Sequence, residues 1–426
     1  MMNSLKEIYS KTISTTVFKN MMSLGFIQVA NYIIPILIIP FVVRALGVDF
    51  FGKATYAQNI ITYLTILVNY GFEYSATQDI AINKNNPSKL KSIFWTVVRF
   101  KGILLIVSFI VLFLLSIFFT KVKEDRLLYF YAALINVGFV LFPTWFFQGI
   151  EKMTRMSFFN FLIKLLGAVF ILLLIHTPSD YRIYLLLLSL SYVLVGLIAF
   201  LYVVKKYNLY FSIEDKKYDS EVIKKGFPIF LNVFFATLYS IAGLTILGFY
   251  LNDYDLGIYS GAYKIVMAVV MLTSMPISIA LFPLMSRKFN ESVSLGFKFF
   301  KKCLLIVGVF ATLASILIFV LSPMVVNILL GENFKESIPL LRVFSILPFL
   351  VVMASMLTVQ GMYGLQLQRY APYVGGTIGL FCVGISLLLI PKYGIYGAAY
   401  GYIFSEVLEI ILVFIVLSLF KNKVRA

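Results

Sequence analysis

The chain has 426 residues, of which 61% are hydrophobic and 13% charged. Its 36 Lys and Arg outnumber 19 Asp and Glu, giving a formal net charge of +17. A soluble domain carries about 25% charged residues, so the composition excludes one, and membrane topology accounts for most of the positive charge without any nucleic acid.

Apolar stretches separated by short polar loops run from end to end. About 20 apolar residues span a bilayer as a helix, and a chain in lipid must satisfy its own backbone. The pattern predicts an all-α membrane protein of about 12 transmembrane helices, near 18–43, 53–80, 92–119, 127–149, 156–176, 183–204, 227–251, 256–285, 303–321, 338–360, 369–390 and 394–420. With the N-terminus in the cytoplasm, 23 Lys and Arg fall in inner segments, among them Lys6, Lys11, Lys19, Lys216, Lys217, Lys421, Lys423 and Arg425. Only eight fall outside: Arg44, Lys53, Lys121, Lys123, Arg126, Arg182, Lys335 and Lys392. The positive-inside rule then places both termini in the cytoplasm. The first apolar run is too long for a signal peptide and has no small-residue cleavage site, so it reads as a span.

In chain order, span 1 carries Pro35 and Pro40, expected bends. Span 2 carries Thr55, Asn59, Thr62, Thr65, Asn69, Glu73 and Thr77 at steps of three or four, one polar helix face. Asp79, at the inner boundary, reads as a surface group. In span 3, Arg99 shares a face with Ser92, Thr96 and Gly102, whereas Lys101 points elsewhere and is expected to snorkel to the interface. Lys164 in span 5 lies with Ser157 and Asn160, open to either a lumen or a snorkelling reading. His176, the only histidine, sits at an outer helix end. Span 8 has Ser260, Lys264, Ala268, Ser274 and Ser278 on one face, with Pro276 and Pro283 as further bends. Arg342 in span 10 is again open to both readings, and Pro339 and Pro348 mark bends. Cys303 and Cys382 fall in spans, without CxxC spacing, as small core residues. Glu406 and Glu409 lie near the middle of span 12, where a short carboxylate reaches no interface; each must be protonated, paired or exposed to lumen water.

The longest loop, 205–226, divides the chain into an N-terminal lobe, 1–213, and a C-terminal lobe, 214–426, of six helices each. Gln148-Gly149 recurs as Gln360-Gly361 at an offset of 212, and Gly52, Ala57 and Ile60 recur as Gly257, Ala262 and Ile265 at 205. Six spans per half give two parallel repeats with a working site between them. Cations on polar faces suit an anionic, hydroxyl-rich substrate, because Lys and Arg neutralise phosphate. The candidate substrate-binding residues are therefore Arg99, Lys164, Lys264, Arg342, Asn59 and Asn69, and the candidate ion-coupling residues Glu73, Glu406 and Glu409. No catalytic, metal or cofactor site is expected.

Phe142-Pro143-Thr144-Trp145-Phe146-Phe147-Gln148-Gly149, followed by Glu151, Met153 and Arg155, resembles a signature of the Wzx-type polysaccharide flippases. Leu46-Gly47, Phe51-Gly52, Tyr56-Ala57, Gly71-Phe72 and Gly394–Ala399 add to the resemblance, which covers nearly the whole chain. That family lies in the multidrug/oligosaccharidyl-lipid/polysaccharide exporter superfamily. The resemblance implies a V-shaped pair of lobes around a cationic cavity in the bacterial inner membrane. It implies movement of undecaprenyl-diphosphate-linked O-antigen or capsule repeat units to the periplasmic leaflet by alternating access, with H+ or Na+ as candidate coupling ions. The polymerase and chain-length regulator of that pathway become candidate partners, beside membrane lipids.

Three rivals share the composition. A membrane polymerase would be expected to carry a sizeable outer loop, and none here exceeds about 15 residues on the span assignment above. A cationic-drug exporter would favour acids in its cavity, whereas cations predominate here. A flippase for another lipid-linked envelope precursor shares all the chemistry described. No GxxxxGK[ST] loop occurs, so no nucleotide is hydrolysed by that route.

Overall fold

The structure is a computed structural model that describes residues 2–211 and 220–425, with their side chains except those of 2–33, 35, 36, 275, 279 and 421–425. The expected lobe boundary at 213/214, the side chain of Pro35, and those of Lys6, Lys11, Lys19, Lys216, Lys217, Lys421, Lys423 and Arg425 lie outside the described residues.

Among the described residues every regular element is helical. The N-terminal half contains α1 (Met2–Asn69), α2 (Phe72–Ile82), α3 (Pro87–Phe118), α4 (Thr120–Glu124), α5 (Arg126–Ala133), α6 (Ile135–Leu141), α7 (Thr144–Gly149), α8 (Met153–Leu174) and α9 (Tyr181–Lys206). The C-terminal half contains α10 (Ser220–Tyr250), α11 (Asp253–Glu291), α12 (Val293–Leu329), α13 (Ser337–Phe344), α14 (Leu347–Ser355), α15 (Ala371–Tyr393) and α16 (Ile395–Arg425). Among the described residues, ten helical stretches are long and apolar enough to cross a membrane, from Pro87–Phe118 to Ile395–Phe420. They match the third to twelfth expected spans. The first two fall on α1 and α2.

These helices turn apolar surface outward. Phe118 in α3 is 77% exposed and Leu305 in α12 is 73% exposed. Leaving a large apolar side chain in water forgoes about 1.5–3 kcal/mol, and a lipid surround removes that penalty. The chain is a multi-pass membrane protein.

Span 2 departs from the expected single helix. Gly47 (φ 71, ψ 177) separates the two arms of α1 in a conformation that L side chains resist. The second arm then breaks at Tyr70 (φ 50) and Gly71 (φ 77), where α2 begins. Spans 4 and 10 are also discontinuous. Span 4 is α5, α6 and α7, interrupted between α6 and α7 by extended Phe142 and a turn at Pro143. Span 10 is α13 and α14, which begins with Pro348 in its first turn, followed by a π-helical segment, Met356–Tyr363. Proline lacks the amide that would continue an α-helix, which accounts for the interruption at Pro143.

By contact, the chain divides into two compact units. Unit 1 is 1–42 with 61–233, and unit 2 is 43–60 with 234–426. The core of unit 1 gathers Phe72, Phe94, Trp145, Phe146, Phe147 and their neighbours. That of unit 2 gathers Met285, Phe300, Met356, Ile378, Val413 and their neighbours. Cys303 and Cys382 are buried and unbridged, as expected of small core residues. In unit 2 the second arm of α1 crosses α11 backbone to backbone. A Cβ on Gly52 would overlap the Asp253 carbonyl, and one on Gly257 would overlap the Val48 carbonyl. Thr55 Oγ1 donates to Ser260 Oγ at 3.0 Å in the same crossing. Gly52 and Gly257, like Thr55 and Ser260, are 205 residues apart, so the contact is reciprocal.

Candidate functional site

The polar face read along span 2 finds its partners in two places. In unit 2, Asn59 Nδ2 donates to Thr245 Oγ1 at 2.6 Å. In unit 1 Thr65, Glu73 and Thr77 bond to the broken span 4, and Asn69 bonds to Lys101 of span 3. Thr65 Oγ1 donates to Asn136 Oδ1 at 2.7 Å. Asn69 Oδ1 accepts from Lys101 Nζ at 3.1 Å. Glu73 Oε1 accepts from Thr144 Oγ1 at 3.3 Å. Thr77 Oγ1 lies 3.2 Å from the Trp145 carbonyl and 3.3 Å from Gln148 Oε1. Polar groups at membrane depth need such partners, since lipid offers none.

Lys101 corrects the expectation that it snorkels. It is 2% exposed, and its ammonium also donates to the Phe139 carbonyl at 2.7 Å. Its place on α3 turns it toward α6 rather than toward lipid, and two oxygens there replace water. Arg99, chosen from the same helix, is half-buried, and its Nε donates to the Trp95 carbonyl one turn back. Asp79 is also no surface group. Its side chain is 8% exposed and meets Lys225 Nζ at 2.6 Å, pinning the start of α10 to α2. Lys164 Nζ donates to the Tyr192 hydroxyl at 2.7 Å, within the half-buried packing of α8 on α9.

Unit 2 holds the remaining candidates. Lys264 Nζ stands 4.7 Å from the centroid of the Phe51 ring. Such a cation–π contact supplies about 0.5–2 kcal/mol. Among the described residues no hydrogen bond or ion pair is recorded for this ammonium. Arg342 is exposed; its Nε donates to Ser322 Oγ at 3.1 Å and its guanidinium lies over Phe319, itself 51% exposed. Glu406 is 0% exposed. Its Oε1 accepts from the Tyr239 hydroxyl at 3.2 Å. Its Oε2 is buried with no partner among the described residues. Tyr239 and Tyr402 stack at 5.9 Å, and Tyr263 meets Tyr402 edge-on at 5.9 Å. One turn along α16, Glu409 Oε1 accepts from Thr358 Oγ1 at 3.0 Å, on the π-helical segment. The same segment holds Gln360, 0% exposed, with Oε1 unpartnered. π-Helical turns recur at functional sites.

The structure thus gathers Asn69, Lys101 and Glu73 along one break, and Glu406 and Glu409 beside another. Arg99, Lys164 and Arg342 stand apart from both. Sequence patterning missed Lys101, Asp79 and Tyr239. The signal that could have pointed to Lys101 is Pro143, whose missing amide leaves the Phe139 carbonyl unpaired, but it does not tell which side chain reaches that carbonyl.

Comparison with known proteins bears on the whole chain. The family described as "Polysaccharide biosynthesis protein" matches residues 17–289. A protein of Escherichia coli (strain K12) named "Putative O-antigen transporter" is 27% identical over 354 residues, 81% of this chain and 83% of its own. One of the same name from Shigella dysenteriae is 27% identical over 402 residues, 92% of this chain and 98% of its own. The fold is similar to that of a multidrug resistance MATE family transporter of the MOP superfamily in its inward-facing conformation. There the TM-score is 0.72 with 14% identity, covering 95% of this chain and 99% of that one.

Proposed function

The chain belongs to the polysaccharide biosynthesis protein family, and from that membership we propose that it is a flippase for lipid-linked oligosaccharides. Its cargo in this reading is an undecaprenyl-diphosphate-linked O-antigen or capsule repeat unit, carried from the cytoplasmic to the periplasmic leaflet of the inner membrane by alternating access. Both termini then lie in the cytoplasm, as the distribution of Lys and Arg favours.

The observation that carries the reading is Lys264. An ammonium at membrane depth with an aromatic ring but no carboxylate is an incomplete ion pair, and a diphosphate would complete it. Neutral donors and acceptors such as Asn59 suit sugar hydroxyls. Glu406 and Glu409 are the proposed coupling groups. A carboxyl whose neighbours are phenol and threonine hydroxyls can exchange a proton or a small cation without breaking an ion pair.

The test is complementation of a flippase-null strain. The wild-type chain should restore surface polymer, and Lys264→Ala, at equal protein level, should lose most of it while Lys264→Arg retains part. Full polymer from Lys264→Ala would remove the proposed diphosphate contact.

A further inference from the structure

We propose that Lys101 is a positioning residue: its ammonium supplies to the Phe139 carbonyl the hydrogen bond that Pro143 withholds, and so fixes the shape of the break in span 4. In an uninterrupted helix the amide of residue 143 would bond the carbonyl of residue 139. Proline has no such amide. The neighbouring amides are committed elsewhere, Phe142 N to the Gly138 carbonyl at 2.8 Å and Thr144 N to the Phe142 carbonyl at 2.9 Å. The Phe139 carbonyl is left to a side chain, and Lys101 Nζ reaches it at 2.7 Å.

The ammonium is suited to this place. Lys101 is 2% exposed, so protein oxygens rather than water complete its charge. Asn69 Oδ1 takes a second N–H at 3.1 Å, and the Glu73 carboxylate adds its field. The lysine stem spans the distance from α3 to α6 and buries its methylenes on the way. With the carbonyl satisfied, Phe142 stays extended (ψ 101) and Pro143 makes a tight turn (ψ 65) closed by the Thr144 amide on the Phe142 carbonyl. The turn of α7 that follows then seats Trp145, Phe146 and Phe147 in the core. The most distinctive stretch of the sequence is, in this view, an interrupted helix held by a cation thirty-eight residues upstream.

The effect on transport rests on the proposed function, whereas the effect on local stability does not, so the experiment has two arms. The first uses full-length protein in lipid nanodiscs and follows the unfolding midpoint and amide exchange of residues 144–149. Lys101→Met should lower the midpoint and speed that exchange roughly tenfold. Lys101→Arg should retain most protection. Pro143→Ala restores an amide at position 143, so Lys101→Met should have little further effect in that background. An equal loss in both backgrounds would show that Lys101 acts by packing alone and overturn the proposal.

The second arm reads surface polymer in the flippase-null strain. Lys101→Met should lower it at least about tenfold, Lys101→Arg should rescue it, and Pro143→Ala should not, because the break itself is lost. Wild-type export by Lys101→Met would overturn the positioning role. Failure of the unmodified chain to export would instead count against the flippase reading, and leave the stability cycle to decide this one.

Discussion

In unit 1 the ammonium of Lys101 ends on two oxygens, at 2.7 and 3.1 Å, and the carboxylate of Asp79 ends on Lys225 at 2.6 Å. In unit 2 the ammonium of Lys264 faces the Phe51 ring, and Glu406 keeps one buried oxygen with no described partner. Both units place charge deep within a membrane protein. The Lys101 and Asp79 charges of unit 1 each meet a partner, although Asp79 Oδ2, like Arg155 Nη1, is buried with none among the described residues. In unit 2 neither Lys264 nor Glu406 meets an opposite charge among the described residues. Burying a charge without a partner is strongly unfavourable. A completed set therefore reads as structure, and an uncompleted one as a place where ligand, proton or ion belongs.

That contrast can be broken by experiment. The largest effect should come from Asp125, 3% exposed, which accepts from the Tyr181 hydroxyl at 2.6 Å and from Arg182 Nε at 2.8 Å. Asp125→Ala should destabilise by about 3 kcal/mol, since it takes the acceptor from the buried Tyr181 hydroxyl and the cap from the first turn of α5, read from chemical unfolding in mixed micelles. Next is Asn69→Leu, which removes one of the two oxygens on Lys101. A loss of about 2 kcal/mol is expected, and a neutral result would mean that unit 1 does not depend on completing its charges.

Glu406→Gln tests the opposite side. It keeps shape and removes the charge, so stability should change by less than about 1 kcal/mol in either direction, while transport and its pH dependence are lost. A stability loss as large as that of Asn69→Leu would erase the difference between the units. The smallest effect belongs to Lys84→Ala. Its partner Glu151 is 3.2 Å away, but the two side chains are 43% and 59% exposed, and such surface pairs contribute about 0–1 kcal/mol. A larger value would show that exposure is a poor guide to charge energetics in this molecule.

Much of the architecture was legible because the bilayer writes it into composition. Ten expected spans coincide with observed helices, since a run of about 20 apolar residues has few other fates. The breaks at Gly71 and Pro143 were not expected, since spans 2 and 4 each read as one unbroken apolar run. The direction of side chains was less legible. Lys101 and Arg99 lie two residues apart on α3, and the polar neighbours of Arg99 made it the better candidate. What buried Lys101 was a carbonyl on α6, and no pattern local to α3 records the approach of that helix. Asp79 was misread for the same reason, because its partner Lys225 lies 146 residues away.

The sequence by itself determined an all-helical membrane chain, its approximate spans, and a supply of intramembrane charge that a lipid environment would not tolerate idly. Those follow from local free energies of transfer, which need no knowledge of neighbours. Only the tertiary structure decided which charges are completed and which stay open. That choice depends on distances of about 3 Å between atoms of distant segments, and hydrophobic periodicity does not encode them.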